Sequence, residues 1–329
     1  MSKILSICVP SYNMEQYLER CVDSMLVDEV LDKLEIIIVN DGSKDGTLAI
    51  ANGYKNRYPG SIVVIDKPNG HYGSCVNASL KVATGKYFRI VDADDWVDSD
   101  ALVEFVKTLE KIDVDCVCTK YTTHNFKKNT VRIKDLDMPS NMILDLNSCS
   151  IPQECLHMHN LTYSMNLLKR IDYSQTEGIC YTDTEYVYLP MSCSKNIMFI
   201  DVSLYQYYIG RDDQSMSDSV LQMNYSHFIE VNKRLLKEHK SELPFNEKEA
   251  FIWSTLVNKL VFFGTPSYLL NGVHDKAKDR VLRESIRELL QLDLCKPLLV
   301  FYNRFHGIPY ISVWYHFPWL FRRISFLFK

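Results

Sequence analysis

Asp92-Ala93-Asp94-Asp95 sets three carboxylates within four residues, directly after the apolar run Tyr87-Phe88-Arg89-Ile90-Val91. Carboxylates crowded at the end of a buried strand repel one another unless a cation joins them. A hard divalent ion fits, because it prefers carboxylate oxygens and accepts phosphate oxygens as further ligands. That chemistry puts a metal, and with it a diphosphate, at one edge of a sheet. Without a cation the same run is a solvated acidic turn capping a helix that starts near Ser99. Tyr181-Thr182-Asp183-Thr184-Glu185-Tyr186 offers two further carboxylates, Asp183 and Glu185, as general bases. If Asp183 heads a helix, its plain role is an N-cap, and Asp41 has the same plain role before the next helix. Asn69-Gly70-His71-Tyr72-Gly73-Ser74-Cys75-Val76-Asn77 has neither the glycine spacing of a dinucleotide fingerprint nor the lysine of a P-loop. Cys155, His157 and His159 alternate as on a polar strand, which explains them better than a transition-metal site does.

These groups need elements to hold them. Ile4 to Val9 is strand-like and Pro10 ends it; Glu35 to Val39, Ser61 to Ile65 and Tyr87 to Val91 are three more apolar strands. Between them, Met14, Leu18, Cys21, Val22 and Met25, then Leu48, Ala51 and Tyr54, then Val76, Leu80 and Ala83 recur at helical spacing. Apolar strands alternating with amphipathic helices predict an α/β fold: a mostly parallel sheet with helices on both faces. Ligands of such sheets sit beyond the carboxyl ends of the strands, where Pro10 to Asn13, Asp41 and Asp92 to Asp95 all fall. Asp100 to Lys111 predicts a helix and Val114 to Thr119 a strand, followed by a polar, less regular stretch to about Ser150. Three helices are expected in the C-terminal region, marked by Leu221 to Leu236, Leu256 to Val261, and Val281 to Leu290.

With 329 residues the chain is long for one core, so about two domains are expected. The formal charge of −4 gives no basic excess for nucleic acid. It is unevenly spread: residues 294–329 hold Lys296, Arg304, Arg322, Arg323, Lys329 and no acid, leaving −9 for the rest. Aromatic residues crowd the same tail. Ten cysteines form no paired framework and read as reduced thiols of a cytosolic protein. The N-terminus enters a strand without a signal peptide, and no run of about 18 apolar residues suits a spanning helix.

Val9-Pro10-Ser11-Tyr12-Asn13, Ile37-Ile38-Val39-Asn40-Asp41-Gly42-Ser43-Lys44-Asp45-Gly46-Thr47 and Asp92-Ala93-Asp94-Asp95-Trp96, in this order, resemble the family 2 glycosyltransferases with a GT-A fold, a Rossmann-like architecture. The resemblance covers about residues 1–217: a nucleotide-binding half at 1–99 and an acceptor-binding half at 100–217, with a helical region at 218–329. It implies an inverting transfer from a UDP-sugar, dependent on Mg2+ or Mn2+, to a glycan or lipid-linked saccharide. It also implies nucleotide-sugar contacts from Pro10, Tyr12, Asn13, Asp41, Asn69, Gly70, Asp92 and Ala93. In the family an aspartate in the place of Asp41 accepts from uracil. Asp94 would ligate the metal with Asp92 as a shared ligand, and Asp183 would be the general base. Asp95 is expected to be structural or near the donor sugar, and Glu185 is the competing base. Four positions depart from the pattern: Asn40 replaces a common aspartate, Val76 a common arginine, Ser79 a common glycine, and Thr182 a common acid. Tyr205 to Ser217 resembles the closing segment of the catalytic domain, where Arg211 could meet diphosphate or acceptor.

A sugar nucleotidyltransferase on a similar fold would need glycines and a basic residue in the Pro10 to Asn13 loop, which has neither. A non-catalytic nucleotide-sugar-binding protein at the membrane is the other alternative, and the retained Asp41, Asp92, Asp94 and Asp183 argue against it. In the tail, Arg322, Ser325 and Lys329 share one helical side and Phe321, Ile324, Leu327 and Phe328 the other. That pattern predicts an interfacial helix on the anionic inner face of the cell membrane, or a face packed on its own domain or in a homodimer.

Overall fold

The computed structural model describes residues 2–149 and 151–210, the helix Asp218–Glu238 and short stretches between 279 and 319. The chain divides into two compact units, Met1–Gly210 and Arg211–Lys329.

The first unit is built on one mixed sheet. Its early strands are β1 (Leu5–Ser11), β2 (Leu34–Asp41), β3 (Ile62–Lys67) and β4 (Tyr87–Ile90), linked by the helices α1 (Leu18–Asp23), α2 (Thr47–Arg57) and α3 (His71–Val82). They pair in parallel in the spatial order β3-β2-β1-β4. Every residue of β2 is buried, which is why its Ile36-Ile37-Ile38-Val39 run is apolar on both faces. The strand β1 runs through Pro10 to Ser11 rather than stopping at Pro10. Cys8 gives its carbonyl to Val91 N, so Pro10, two residues on, turns its H-less nitrogen to the same side, where β4 has ended.

A short strand, β5 (Trp96–Val97), leads into α4 (Ser99–Leu109), which buries Leu102, Phe105, Val106 and Leu109. Asp98, not the acidic run before it, caps α4 by accepting from Ala101 N at 2.9 Å. Then follow β6 (Cys116–Asn125), β7 (Thr130–Lys134), β8 (Ile143–Asp145), β9 (Leu161–Ser164), α5 (Met165–Arg170), α6 (Asp183–Cys193) and β10 (Asn196–Ile209). The sheet continues as β4-β9-β6-β10-β5, with β6 and β10 parallel and β9, β5, β7 and β8 antiparallel to their neighbours.

The polar stretch expected up to Ser150 is thus partly a hairpin. Lys128 N donates to Asn125 Oδ1 at 2.9 Å and Asn129 takes φ 46°, so a four-residue turn reverses the chain. Cys155, His157 and His159 lie not on a strand but in and around two 3-10 turns, Gln153–Cys155 and Met158–Asn160.

In the second unit, α7 (Asp218–Glu238) buries Phe228, Val231 and Leu235, and the helix Tyr310–His316 buries Trp314. The Arg283 guanidinium lies 4.4 Å from the Trp314 ring centre and donates to the Trp314 and Tyr315 carbonyls. Among the described residues no helix is long and apolar enough to cross a membrane. The expected helix at 256–261, Arg211 and the tail helix from Phe321 lie outside the described residues.

Candidate active site

The parallel strands β1, β2 and β4 end at Ser11, Asp41 and Ile90, so their following residues share one edge. Asn13 ties two of these loops together. Its N–H donates to Ser43 Oγ at 3.0 Å and its Oδ1 accepts from Lys44 N at 2.8 Å, in a left-handed conformation with φ 55°. Tyr12 beside it is 45% exposed, an open aromatic face at the sheet edge.

Asp41 is buried and does not cap α2. Its Oδ1 accepts from Lys67 Nζ and from Gly70 N, the latter at 2.9 Å. Lys67 also donates to Ser74 Oγ at 2.7 Å, so one cation joins the end of β2 to the first turn of α3. Asn69 is exposed beside this link. Gly42 has φ 74°, and a Cβ there would stand 2.9 Å from Asn69 N, so a side chain would push the two loops apart. Asn40 donates to Asp66 at 2.7 Å; an aspartate in its place would face that carboxylate directly.

Asp92, Asp94 and Asp95 bring carboxylate oxygens within 4.8 Å of one another, the one group among the described residues that could hold a metal ion. Their environments differ. Asp92 and Asp94 are half-buried, whereas Asp95 is fully buried. Asp95 accepts from Tyr205 OH at 2.5 Å and from Tyr208 N at 2.7 Å. Burial pushes its carboxyl well above the usual range, and Asp94 and Asp92 push it further. Asp92 accepts from Tyr72 OH at 2.9 Å, and its own N–H donates to Tyr205 OH at 3.2 Å. The Asp94 carbonyl accepts from the Arg20 guanidinium at 2.5 Å, which lies 4.1 Å from the Trp96 ring centre. Ala93 is buried between the acids. An all-oxygen donor set of this kind fits Mg2+ or Mn2+ rather than a softer metal.

Asp183 is the first residue of α6, not its N-cap; Thr182 holds the cap position without a side-chain cap bond. Two phenols mark its distance from the acids. Burial raises the pKa of Tyr72, and the charges of both Asp92 and Asp183 add to it. Burial likewise raises Tyr207, with Asp95, Asp92, Asp94 and Asp183 all contributing. One phenol thus feels the acidic run and Asp183 together, although about 90 residues separate them in sequence. Glu185, the alternative base, is fully buried and turned away to a structural task. Its two oxygens accept from Thr176 N at 2.8 Å and Thr176 Oγ1 at 2.7 Å.

A seam between α3 and the segment before α6 sets this arrangement. Asn77 Oδ1 accepts from Gln175 N at 2.7 Å, and Asn77 Nδ2 donates to Gln175 O at 2.9 Å. Gly178 N donates to Gly70 O at 2.9 Å. Gly73 allows the closest approach, for a Cβ there would lie 2.1 Å from Thr176 O. His71 at φ 64° and Tyr181 at φ 67° are both non-glycine residues in the left-handed region, each on one bank of the seam. Sequence reasoning gave no role to Tyr72, Tyr207, Arg20 or Lys67. Tyr72 and Tyr207 carried a signal, their places inside the glycine-rich segment and the closing segment of the catalytic domain.

The match to known proteins takes in the strand-edge loops and the acidic run. A family model described as Glycosyl transferase family 2 fits residues 6–172. The chain belongs to this family. It is therefore an enzyme of the glycosyltransferase class. The family 2 chain is 24% identical over 309 residues to "Uncharacterized glycosyltransferase EpsJ" of Bacillus subtilis (strain 168), across 90% of this chain and 86% of that one. It is 26% identical to the chondroitin synthase of Pasteurella multocida (strain Pm70) over 93% of its own length, but spans only 30% of that longer protein. Among solved structures, S. aureus TarS 1-349 in complex with UDP-GlcNAc superposes with a TM-score of 0.70 at 19% identity, over 94% of this chain and 86% of that one. The likeness to TarS shows the fold, the GT-A architecture with its curled, mostly parallel central sheet.

Proposed function

We propose that this family 2 enzyme transfers a sugar from a UDP-sugar, with inversion, to a glycan or lipid-linked saccharide acceptor of a bacterial surface polysaccharide. The observation that carries the reading is the half-buried phenol of Tyr72, which donates to Asp92 and whose pKa is also raised by the charge of Asp183. The named activities of relatives such as the chondroitin synthase, and the UDP-GlcNAc held by TarS, support a UDP-sugar donor and a polysaccharide product.

In this reading, the uracil and ribose lie along Pro10, Tyr12, Asn13 and Asp41, with Asn69 and Gly70 closing the pocket from α3. Asp41 already has a lysine and a backbone N–H on Oδ1, which hold its carboxylate in place. Asp92 and Ala93 lie against the donor. Asp92 and Asp94 would hold Mg2+ or Mn2+, which when bound offsets charge on the departing nucleoside diphosphate. Asp95, committed to Tyr205 and Tyr208, fixes the loop that carries the other two. Asp183 takes the acceptor hydroxyl proton, and the oxygen attacks the anomeric carbon from the face opposite the leaving group. Tyr72, kept protonated by its surroundings, donates to Asp92 and holds one carboxylate in orientation.

The catalytic part is residues 1–217 and the helical part 218–329, with the basic aromatic tail placing the enzyme at the inner membrane face. The test is UDP release from candidate UDP-sugars with Mn2+. Turnover that survives both Asp183→Asn and Asp94→Asn would sink the assignment.

A further inference from the structure

The β6–β7 hairpin has a composition that its place in the fold does not explain. From Tyr121 to Lys134 it carries Lys127, Lys128, Arg132 and Lys134 and no acid. It also leaves three large apolar side chains open: Phe126 at 58%, Val131 at 66% and Ile133 at 62% exposure. Charged residues on an edge strand are a common guard against pairing with another sheet. Two exposed β-branched residues between those charges work against such a guard, so they ask for another reason.

The register puts the apolar groups on one face. Val131 sits opposite His124 and Ile133 opposite Thr122, while His124 lies beside Tyr208 of β10. Phe126 packs edge-on to Tyr208 with ring centres 4.6 Å apart, and Trp96 lies tilted against His124 at 4.6 Å. Phe126, Tyr208, His124, Val131 and Ile133 therefore form a continuous apolar and aromatic strip. It begins at Trp96, the residue directly after the acidic run. Arg132 and Lys134 alternate to the other face, and Lys127 and Lys128 stand at the turn. The strip is thus bounded by cations at the turn and backed by cations on the other face of the same strand.

An exposed apolar strip with cations at its turn and along its strand, and no acid in the hairpin, is complementary to an anionic lipid surface, where acyl chains take the apolar groups and phosphates the cations. A polyanionic glycan would satisfy the lysines but not Val131 and Ile133. We infer that the β6–β7 hairpin docks on an anionic bilayer through Phe126, Val131 and Ile133, separately from the C-terminal tail. Docking there holds the edge of the sheet that carries Asp92 and Asp94 beside the membrane.

The test uses the full chain with phosphatidylglycerol vesicles and, as control, pure phosphatidylcholine vesicles. Val131→Thr/Ile133→Thr keeps shape and strand preference while removing apolar surface, and Lys127→Glu/Lys128→Glu reverses the turn charge. Each double variant is expected to lower the partition coefficient on anionic vesicles about tenfold, with UDP release in solution unchanged. A wild-type chain that does not bind anionic vesicles overturns the inference. So do variants that partition like wild type, whether or not they weaken the KM of a soluble anionic acceptor or alter self-association. Either result leaves the donor chemistry, read by UDP release, untouched.

Discussion

Two carboxylates two residues apart on α6 have different surroundings. Glu185 gives both oxygens to Thr176 inside the protein, while Asp183 stays half-buried near Tyr72 and Tyr207. Asp183→Asn is expected to cut kcat by about a hundredfold or more, with donor KM and melting temperature nearly unchanged. Glu185→Ala removes the acceptor of two Thr176 hydrogen bonds and empties a fully buried site, so it is expected to cost about 1–3 kcal/mol of stability, read by urea denaturation. The reverse pattern, with Glu185→Ala losing turnover at full stability, would assign the base to Glu185. The acidic run divides in the same way. Asp94→Asn leaves Asp95 in its bonds to Tyr205 and Tyr208 and is expected to lose turnover without loss of fold. Chelation of the wild-type enzyme with EDTA should lower UDP release by about tenfold or more, and added Mn2+ should restore it.

At the scale of elements, the deciding feature is the seam between α3 and the segment leading into α6. Gly73 has no room for a methyl group, because the nearest atom is the Thr176 backbone carbonyl. Gly73→Ala must move one backbone from the other and is expected to cost about 1–3 kcal/mol, with a larger proportional loss of kcat than of donor affinity. Melting curves and separate kcat and KM values measure the two effects. Early elements were legible because β1, β2 and β4 are buried on both faces and read as mostly apolar runs, and the edge strand β3 opens on the apolar run Ile62 to Ile65. The β6–β7 hairpin was not, since its turn uses Asn129 rather than glycine and its outer strand alternates apolar with basic residues that are both exposed. The Cys155 to His159 stretch misled for a related reason: alternation there comes from two 3-10 turns, with His159 packed on Tyr205 and Tyr207.

For the molecule as a whole, thiols report how tightly the first unit closes. Cys8, Cys21, Cys116 and Cys118 are fully buried, and burial raises each of them well above the ordinary thiol value. Cys75 is pushed up to about 12 by the same cause. Because the thiolate is the reactive form, a raised pKa keeps these groups unreactive well above neutral pH. In the native state at mildly alkaline pH, exposed Cys193 should label fastest among the described cysteines, and all should label in denaturant. Rapid native labelling at Cys8 or Cys118 would show that the sheet opens more readily than its packing implies.

The sequence alone determined the parallel core, the shared edge of Asp41 and Asp92 to Asp95, and the family. Those features are local: an apolar run, a turn after it, and acids within a few residues. Tertiary structure decided which acid is buried in hydrogen bonds and which stays half-exposed. Whether Asp94 or Asp95 faces outward depends on Tyr205 and Tyr208, more than 100 residues away. Whether Asp183 or Glu185 is available depends on where Thr176 sits against Gly73. Burial and hydrogen-bond partners set the chemistry of a carboxylate, and both belong to contacts between segments that no local pattern records.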